Sequence, residues 1–170
     1  MPKVILNLWT APKWLLKYNF NRFDKMSAAG FLTKEQCDSI VEAIKSAELN
    51  TSGEIRVHIE SECSGDPCER AVAVFHKLGM FRTAARNGVL IYLAFKSHKV
   101  AIIGDEGINK AVPEGFWYDV YHFMSEHFKN GDFAGGLVGA IVMAGDRLKE
   151  FFPYQSDDVN EQSDEISFGK

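Results

Sequence analysis

Long hydrophobic runs are missing from this sequence. The longest, Val89 to Phe95, has seven residues, whereas a membrane-spanning helix needs about 20. Cysteine is scarce as well. Three cysteines in 170 residues give no disulfide framework and fit a reducing compartment. Cys63 and Cys68 have four residues between them, but only Cys37 remains to match them, so a zinc site is not indicated. There is no basic excess: 19 Lys and Arg face 23 Asp and Glu, a net charge of −4, which argues against a nucleic-acid binder. Walker loop, G-x-S-x-G elbow and a GxGxxG following a strand are all absent. His122 and His127 stand five apart, roughly 140° around a helix axis, so they do not share a face as metal ligands would. The N-terminus is no convincing signal peptide, because Asn7 interrupts Val4-Ile5-Leu6 and Lys13 and Lys17 fall where an apolar region would continue. A cytoplasmic protein is expected.

What remains is the composition of an ordinary globular domain, 46% hydrophobic and 25% charged. Charge is uneven along it. Residues 1–30 hold five basic residues against one acid, interleaved with Trp9, Trp14, Tyr18, Phe20 and Phe23. This segment is expected to pack on the domain surface, or to meet a protein partner or a membrane surface, the latter making the protein peripherally membrane-associated. The last sixteen residues hold five acids against Lys170 and read as a polar tail. The expected organisation is a segment 1–30, a domain 31–153 and a tail 154–170.

Within the domain the periodicities are clear. Thr33 with Gln36 reads as a capping box opening a helix through Ile40, Val41 and Ile44 to about Glu48. Glu54 to Glu60 alternates, with Ile55, Val57 and Ile59 on one side and Arg56, His58 and Glu60 on the other, as in a half-buried strand. Pro67 sits near the first position of a second helix, which Gly79 ends. Val89 to Phe95 suits a central strand covered on both faces. Val100 to Ile103 follows too closely for a crossover, so it forms an antiparallel hairpin with that strand. The first two strands flank a helix and make a parallel, right-handed βαβ unit. Two long helices follow, the first from about Pro113, the second capped by Asp132 and ending by Pro153. The expected fold class is α/β, a small mixed sheet with helices on both faces.

This topology sends three chain segments to one edge of the sheet. The parallel strands begin at Glu54 and Gly88, and the antiparallel strand ends there at Gly104. Thr51, Ser52, Glu54, Asn87, Asp105 and Glu106 are therefore expected to converge, with Arg82, Thr83 and Arg86 on the same edge. Taken alone, these residues read either as solvated turns or as a hard-oxygen set of the kind Ca²⁺ uses. The arginines read either as loop cover paired with acids or as a bidentate phosphate clamp.

Several stretches carry a family resemblance: Thr51-Ser52-Gly53-Glu54-Ile55-Arg56-Val57, Arg86-Asn87-Gly88-Val89-Leu90-Ile91-Tyr92, Ile102-Ile103-Gly104-Asp105-Glu106-Gly107-Ile108, Asn130-Gly131-Asp132-Phe133 and Gly135-Gly136-Leu137. Over residues 32 to about 152 the sequence resembles the TPM domain family, named for members in the thylakoid lumen, photosystem II and a nematode receptor complex. It is most similar to a short soluble bacterial form ending in Phe152-Pro153-Tyr154. The resemblance implies a three-layer α/β/α sandwich. Some family members bind calcium or another divalent cation such as magnesium, so the resemblance favours a metal at this edge, with Glu54, Asn87, Asp105 and Glu106 as the ligands that the topology offers. The expected role is a binding or assembly module at an envelope-associated complex. A plant member is regarded as an acid phosphatase, which makes the alternative a metal-assisted hydrolase of phosphate monoesters, with Arg82 and Arg86 on the phosphate. This sequence departs from many relatives in having Gly104-Asp105-Glu106-Gly107 where they have a glycine-tyrosine-glycine turn. No recognisable nucleophile with its base stands nearby, and the balance favours a non-enzyme.

Overall fold

The computed structural model describes residues 3–5, 23–156 and 160–170. The amphipathic stretch containing Trp9, Trp14, Tyr18 and Phe20 lies outside the described residues. Among the described residues the sheet has five strands in spatial order β1-β4-β3-β2-β5. They are β1 (Lys3–Ile5), β2 (Glu54–Glu60), β3 (Gly88–Ala94), β4 (Lys99–Gly104) and β5 (Ser167–Phe168). As the sequence predicts, β2 and β3 are parallel and β3 and β4 antiparallel. The register pairs Glu54 with Gly88 and Val89 with Gly104, so both strand starts and the end of β4 do share one edge.

Among the described residues, five α-helices pack around the sheet: α1 (Lys34–Glu48), α2 (Pro67–Lys77), α3 (Glu106–Ala111), α4 (Phe116–Lys129) and α5 (Phe133–Phe151). The caps follow from sequence. The Thr33 hydroxyl accepts from the Gln36 N–H at 3.2 Å, and the Gln36 side chain accepts from the Thr33 N–H at 2.9 Å. Asp66 and Asp132 accept from backbone amides at the starts of α2 and α5. One core lies between the sheet and α1, α4 and α5, through Ile55, Val57, Ile91, Val120, Leu137 and Leu148; a second lies under α2, through Phe75, Leu90, Tyr92 and Ile103. The result is an α/β/α sandwich built on a small mixed sheet.

Two features depart from the sequence reading. Asp105-Glu106, read as a turn, instead opens the short helix α3. The sheet also extends past both limits expected at residues 31 and 153. β1 pairs with β4, and β5 pairs with β2 through His58–Ser167 and Ile59–Phe168. Phe23 joins an aromatic cluster with Phe31, Phe95 and Phe133, and Ile166 enters the first core. The segment 160–170 also covers the polar side of β2, so all seven residues of that strand are buried rather than half of them. Arg56, His58 and Glu60 face protein, not water.

Candidate functional site

The shared edge assembles in three steps. The loop before β3 is drawn in by Thr83, which is buried; its carbonyl accepts from the Arg86 N–H at 3.1 Å and its hydroxyl from the Asn87 N–H at 3.2 Å. Arg86 adopts a left-handed backbone, φ 52°, uncommon outside glycine. Its carbonyl then accepts from the Gly107 N–H at 2.7 Å. A Cβ at Gly107 would stand 2.2 Å from the Ala85 carbonyl oxygen, so the contact of loop and helix requires glycine here. The turn before β2 is fixed to the end of α5, with the Ser52 N–H donating to the Phe152 carbonyl at 3.0 Å.

Asp105 is fully buried. Arg86 reaches it with two nitrogens, Nε to Oδ2 at 2.7 Å and an Nη to Oδ1 at 2.8 Å, the bidentate fork that suits a guanidinium and a carboxylate. Asp105 Oδ1 also accepts from the Glu106 N–H at 2.8 Å, capping α3. The Arg86 guanidinium gains from this bond and is held above its usual range. Glu106 turns outward to Lys110, 2.5 Å away, and that lysine holds its carboxyl below the usual range. Arg82 is exposed, with its guanidinium over the Phe81 ring at 5.5 Å. The two arginines expected on one phosphate are thus engaged separately, one by an acid and one by a ring.

Asn87 is fully buried; its Nδ2 donates to the Ser52 hydroxyl at 3.3 Å, and its Oδ1 has no hydrogen-bond partner. A buried amide oxygen left this way carries a desolvation cost of about 1–3 kcal/mol. Among the described residues, no three His, Cys, Asp or Glu are grouped so as to hold a metal ion.

Glu54 faces a different environment. Its Oε1 accepts from the Glu161 N–H at 2.8 Å, and its Oε2 has no partner. Beside it, Glu48 Oε1 accepts from the Ile55 N–H at 2.8 Å, and its side chain also meets the Asp164 carboxyl. Burial pushes the Glu48 carboxyl up to about 8, helped by Glu54 and Asp164. Burial, with Glu161 and Asp164 nearby, pushes Glu54 up to about 7. The sequence reading missed Glu48, Glu161 and Asp164. The signal available was that Glu48 and Glu54 bracket one tight turn, from α1 into β2.

Further along β2 the Arg56 Nε has no hydrogen-bond partner, whereas His58 and Glu60 are satisfied. His58 Nε2 lies 3.1 Å from Glu60 Oε1 and its Nδ1 2.9 Å from the Ser167 hydroxyl. Glu60 also accepts from Arg70 and, at 2.8 Å, from the Tyr92 hydroxyl. Burial alone would raise the Glu60 carboxyl, but these donors hold it at about 2. Cys37, Cys63 and Cys68 are all free thiols.

No curated protein matches this chain. A solved structure does: the NMR structure of BA42 protein from the psychrophilic bacterium Bizionia argentinensis sp. nov. is similar at 46% identity and a TM-score of 0.76, over 82% of this chain and 96% of that one. The sequence model of the TPM domain matches residues 26–147, which include Glu48, Glu54, Arg86, Asn87 and Asp105, and the chain belongs to the TPM domain family.

Proposed function

We propose that this TPM domain is a divalent-cation-binding module, calcium before magnesium, whose role is to bind or assemble with a protein partner. The observation that carries the reading is Asn87. Its Oδ1 is a buried, unpartnered oxygen at the edge where two strand starts and the end of β4 meet. Calcium takes 6–8 oxygens, many of them amide, carbonyl and hydroxyl. Asn87 Oδ1, the Ser52 hydroxyl and the Asp105 carboxylate are the donors this edge supplies. Glu106 would join them only by leaving Lys110, and Asp105 only by sharing its oxygens with Arg86. Glu54 is held by the segment 160–170, so it is the outlying member of the expected set.

The test is a calcium titration followed by backbone amide shifts. Saturable movement at Ser52, Asn87 and Asp105, weakened about tenfold by Asn87→Ala or Asp105→Asn, is the expected result. A titration that moves none of these amides refutes it.

A second reading, a metal-assisted phosphatase, is favoured by one finding: the matching family model carries the label TPM phosphatase. Against it, Arg86 already holds a carboxylate bidentately. Hydrolysis of a simple phosphate ester that requires metal, saturates in substrate and falls with Asp105→Asn would establish it.

A further inference from the structure

Where β5 meets β2, a hydroxyl, an imidazole and a carboxylate form one hydrogen-bonded line. Ser167 and His58 are paired in register across the two strands. The Ser167 hydroxyl lies 2.9 Å from His58 Nδ1, and His58 Nε2 lies 3.1 Å from Glu60 Oε1. The far end of the line fixes where its protons sit. Tyr92 and Arg70 donate to Glu60, whose carboxyl is held at about 2 and is therefore ionised. An ionised carboxylate only accepts, so His58 Nε2 carries the hydrogen. Burial keeps the imidazole below its ordinary range and neutral near pH 7. Nδ1 then holds a lone pair, and the Ser167 hydroxyl donates to it. His58 and Glu60 are 5% and 2% exposed, whereas Ser167 is half-buried on the outermost strand. The base is shielded from water and the hydroxyl stands at the rim. Beyond it, the Gly169 N–H donates to the Ile59 carbonyl at 2.9 Å. Strand alternation therefore turns the Phe168 N–H the other way, onto an edge that no further strand covers among the described residues.

We propose that Ser167 is a nucleophile toward carboxylic esters, with His58 as its general base and Glu60 as the residue that positions the imidazole. The three stand as nucleophile, base and orienting acid do in acyl transfer, a constellation recognised by geometry and not by chain order. Here Nδ1, not Nε2, faces the hydroxyl. Ser167 Oγ attacks the carbonyl carbon while its proton passes to His58 Nδ1. The C–O bond to the leaving group then breaks, and the leaving alcohol takes that proton. Water repeats the sequence on the acyl-serine, restoring the hydroxyl and releasing the carboxylic acid. The Phe168 N–H, from the residue after the nucleophile, is the donor for the oxyanion.

The proposal goes beyond the cation reading, which uses none of these three residues. The full chain is treated with a fluorophosphonate and mapped by mass spectrometry, and hydrolysis of 4-nitrophenyl acetate is followed in parallel. A single adduct on Ser167 is expected, its rate rising with pH through the His58 titration below 6.5 and level above it. The groups that set this midpoint are Glu60 on the same strand, Arg70 and Lys77 from α2, Tyr92 stacked from β3 and Ser167 from β5. Ser167→Ala should abolish the adduct and lower ester hydrolysis, and His58→Gln should slow labelling about 100-fold. Glu60→Gln should move the midpoint to lower pH, since the charge that favours protonated His58 is gone; a role in packing alone would leave the midpoint in place. The proposal is overturned if the parent gains no adduct, if the adduct maps elsewhere, or if Ser167→Ala hydrolyses the ester as fast as the parent. Ser167→Ala removes only a half-buried hydroxyl, so it decides the matter even where His58→Gln fails to fold.

Discussion

Asp105 and Glu54 stand at the same edge of one sheet, yet they meet opposite treatment. Asp105 is fully buried and meets a guanidinium with two bonds and a helix amide with a third. Glu54, almost as deeply buried, meets one amide and two further acids. The first carboxylate has its countercharge built into the chain and serves the architecture of α3 and the β3 loop. The second has Arg56 in its neighbourhood but no hydrogen bond from a cation, and burial pushes its carboxyl up to about 7. Burial alone does not mark a functional acid; the missing partner does.

The largest effect is expected from breaking the satisfied side. Asp105→Ala strands the Arg86 guanidinium and removes the α3 cap, at about 3 kcal/mol, the low end for a buried pair because Arg86 is partly exposed. The melting temperature should fall by roughly 6–12 °C, read by calorimetry.

The unsatisfied side is probed by pH. Glu48 and Glu54 bind protons more tightly folded than unfolded, so their contribution is full below the ordinary carboxylate range and is lost as pH rises through about 7 and about 8. Burial lowers His58, which works the other way, but only as pH falls below its ordinary value near 6.5. Melting temperature should therefore decline between about pH 6.5 and 8.5. Glu48→Gln with Glu54→Gln should flatten that decline, and an unaltered slope in the double variant would separate the pH response from these two acids. The smallest effect is expected at Lys110→Ala. Its pair with Glu106 is exposed, so thermal melts of variant and parent should superimpose.

Much of this was legible in the sequence. Alternation in β2, the apolar run of β3, the tight β3–β4 connection and the Thr33 capping box each express a local rule, and the shared edge follows from them. The burial of Arg56, His58 and Glu60 was not legible, because the cover comes from distant chain, Arg70 and Tyr92 over Glu60 and the segment from residue 160 onward beside His58. Nothing local distinguishes an acidic tail in water from one laid over a strand. The partnership of Arg86 with Asp105 was half legible. Both residues were expected at the edge, but spacing alone assigns one to phosphate and the other to metal, and only the guanidinium geometry shows that they satisfy each other. Glu48 escaped notice because helical periodicity marks where a helix ends and not which acid its last turn delivers.

The pairing of His58 with Ser167 spans 109 residues, whereas β3 and β4 are joined by a tight turn. Closing so long a loop is entropically slow compared with closing a hairpin, so β5 is expected to dock late, after the rate-limiting barrier. Contacts made late govern how fast a protein comes apart more than how fast it assembles. Gly169 is such a contact: a Cβ there would stand 2.4 Å from the Glu60 Cγ. Crowding at that position should therefore shorten the lifetime of the folded state while leaving its rate of formation nearly untouched, making the outermost strand a timer on the native sheet rather than a seed for it.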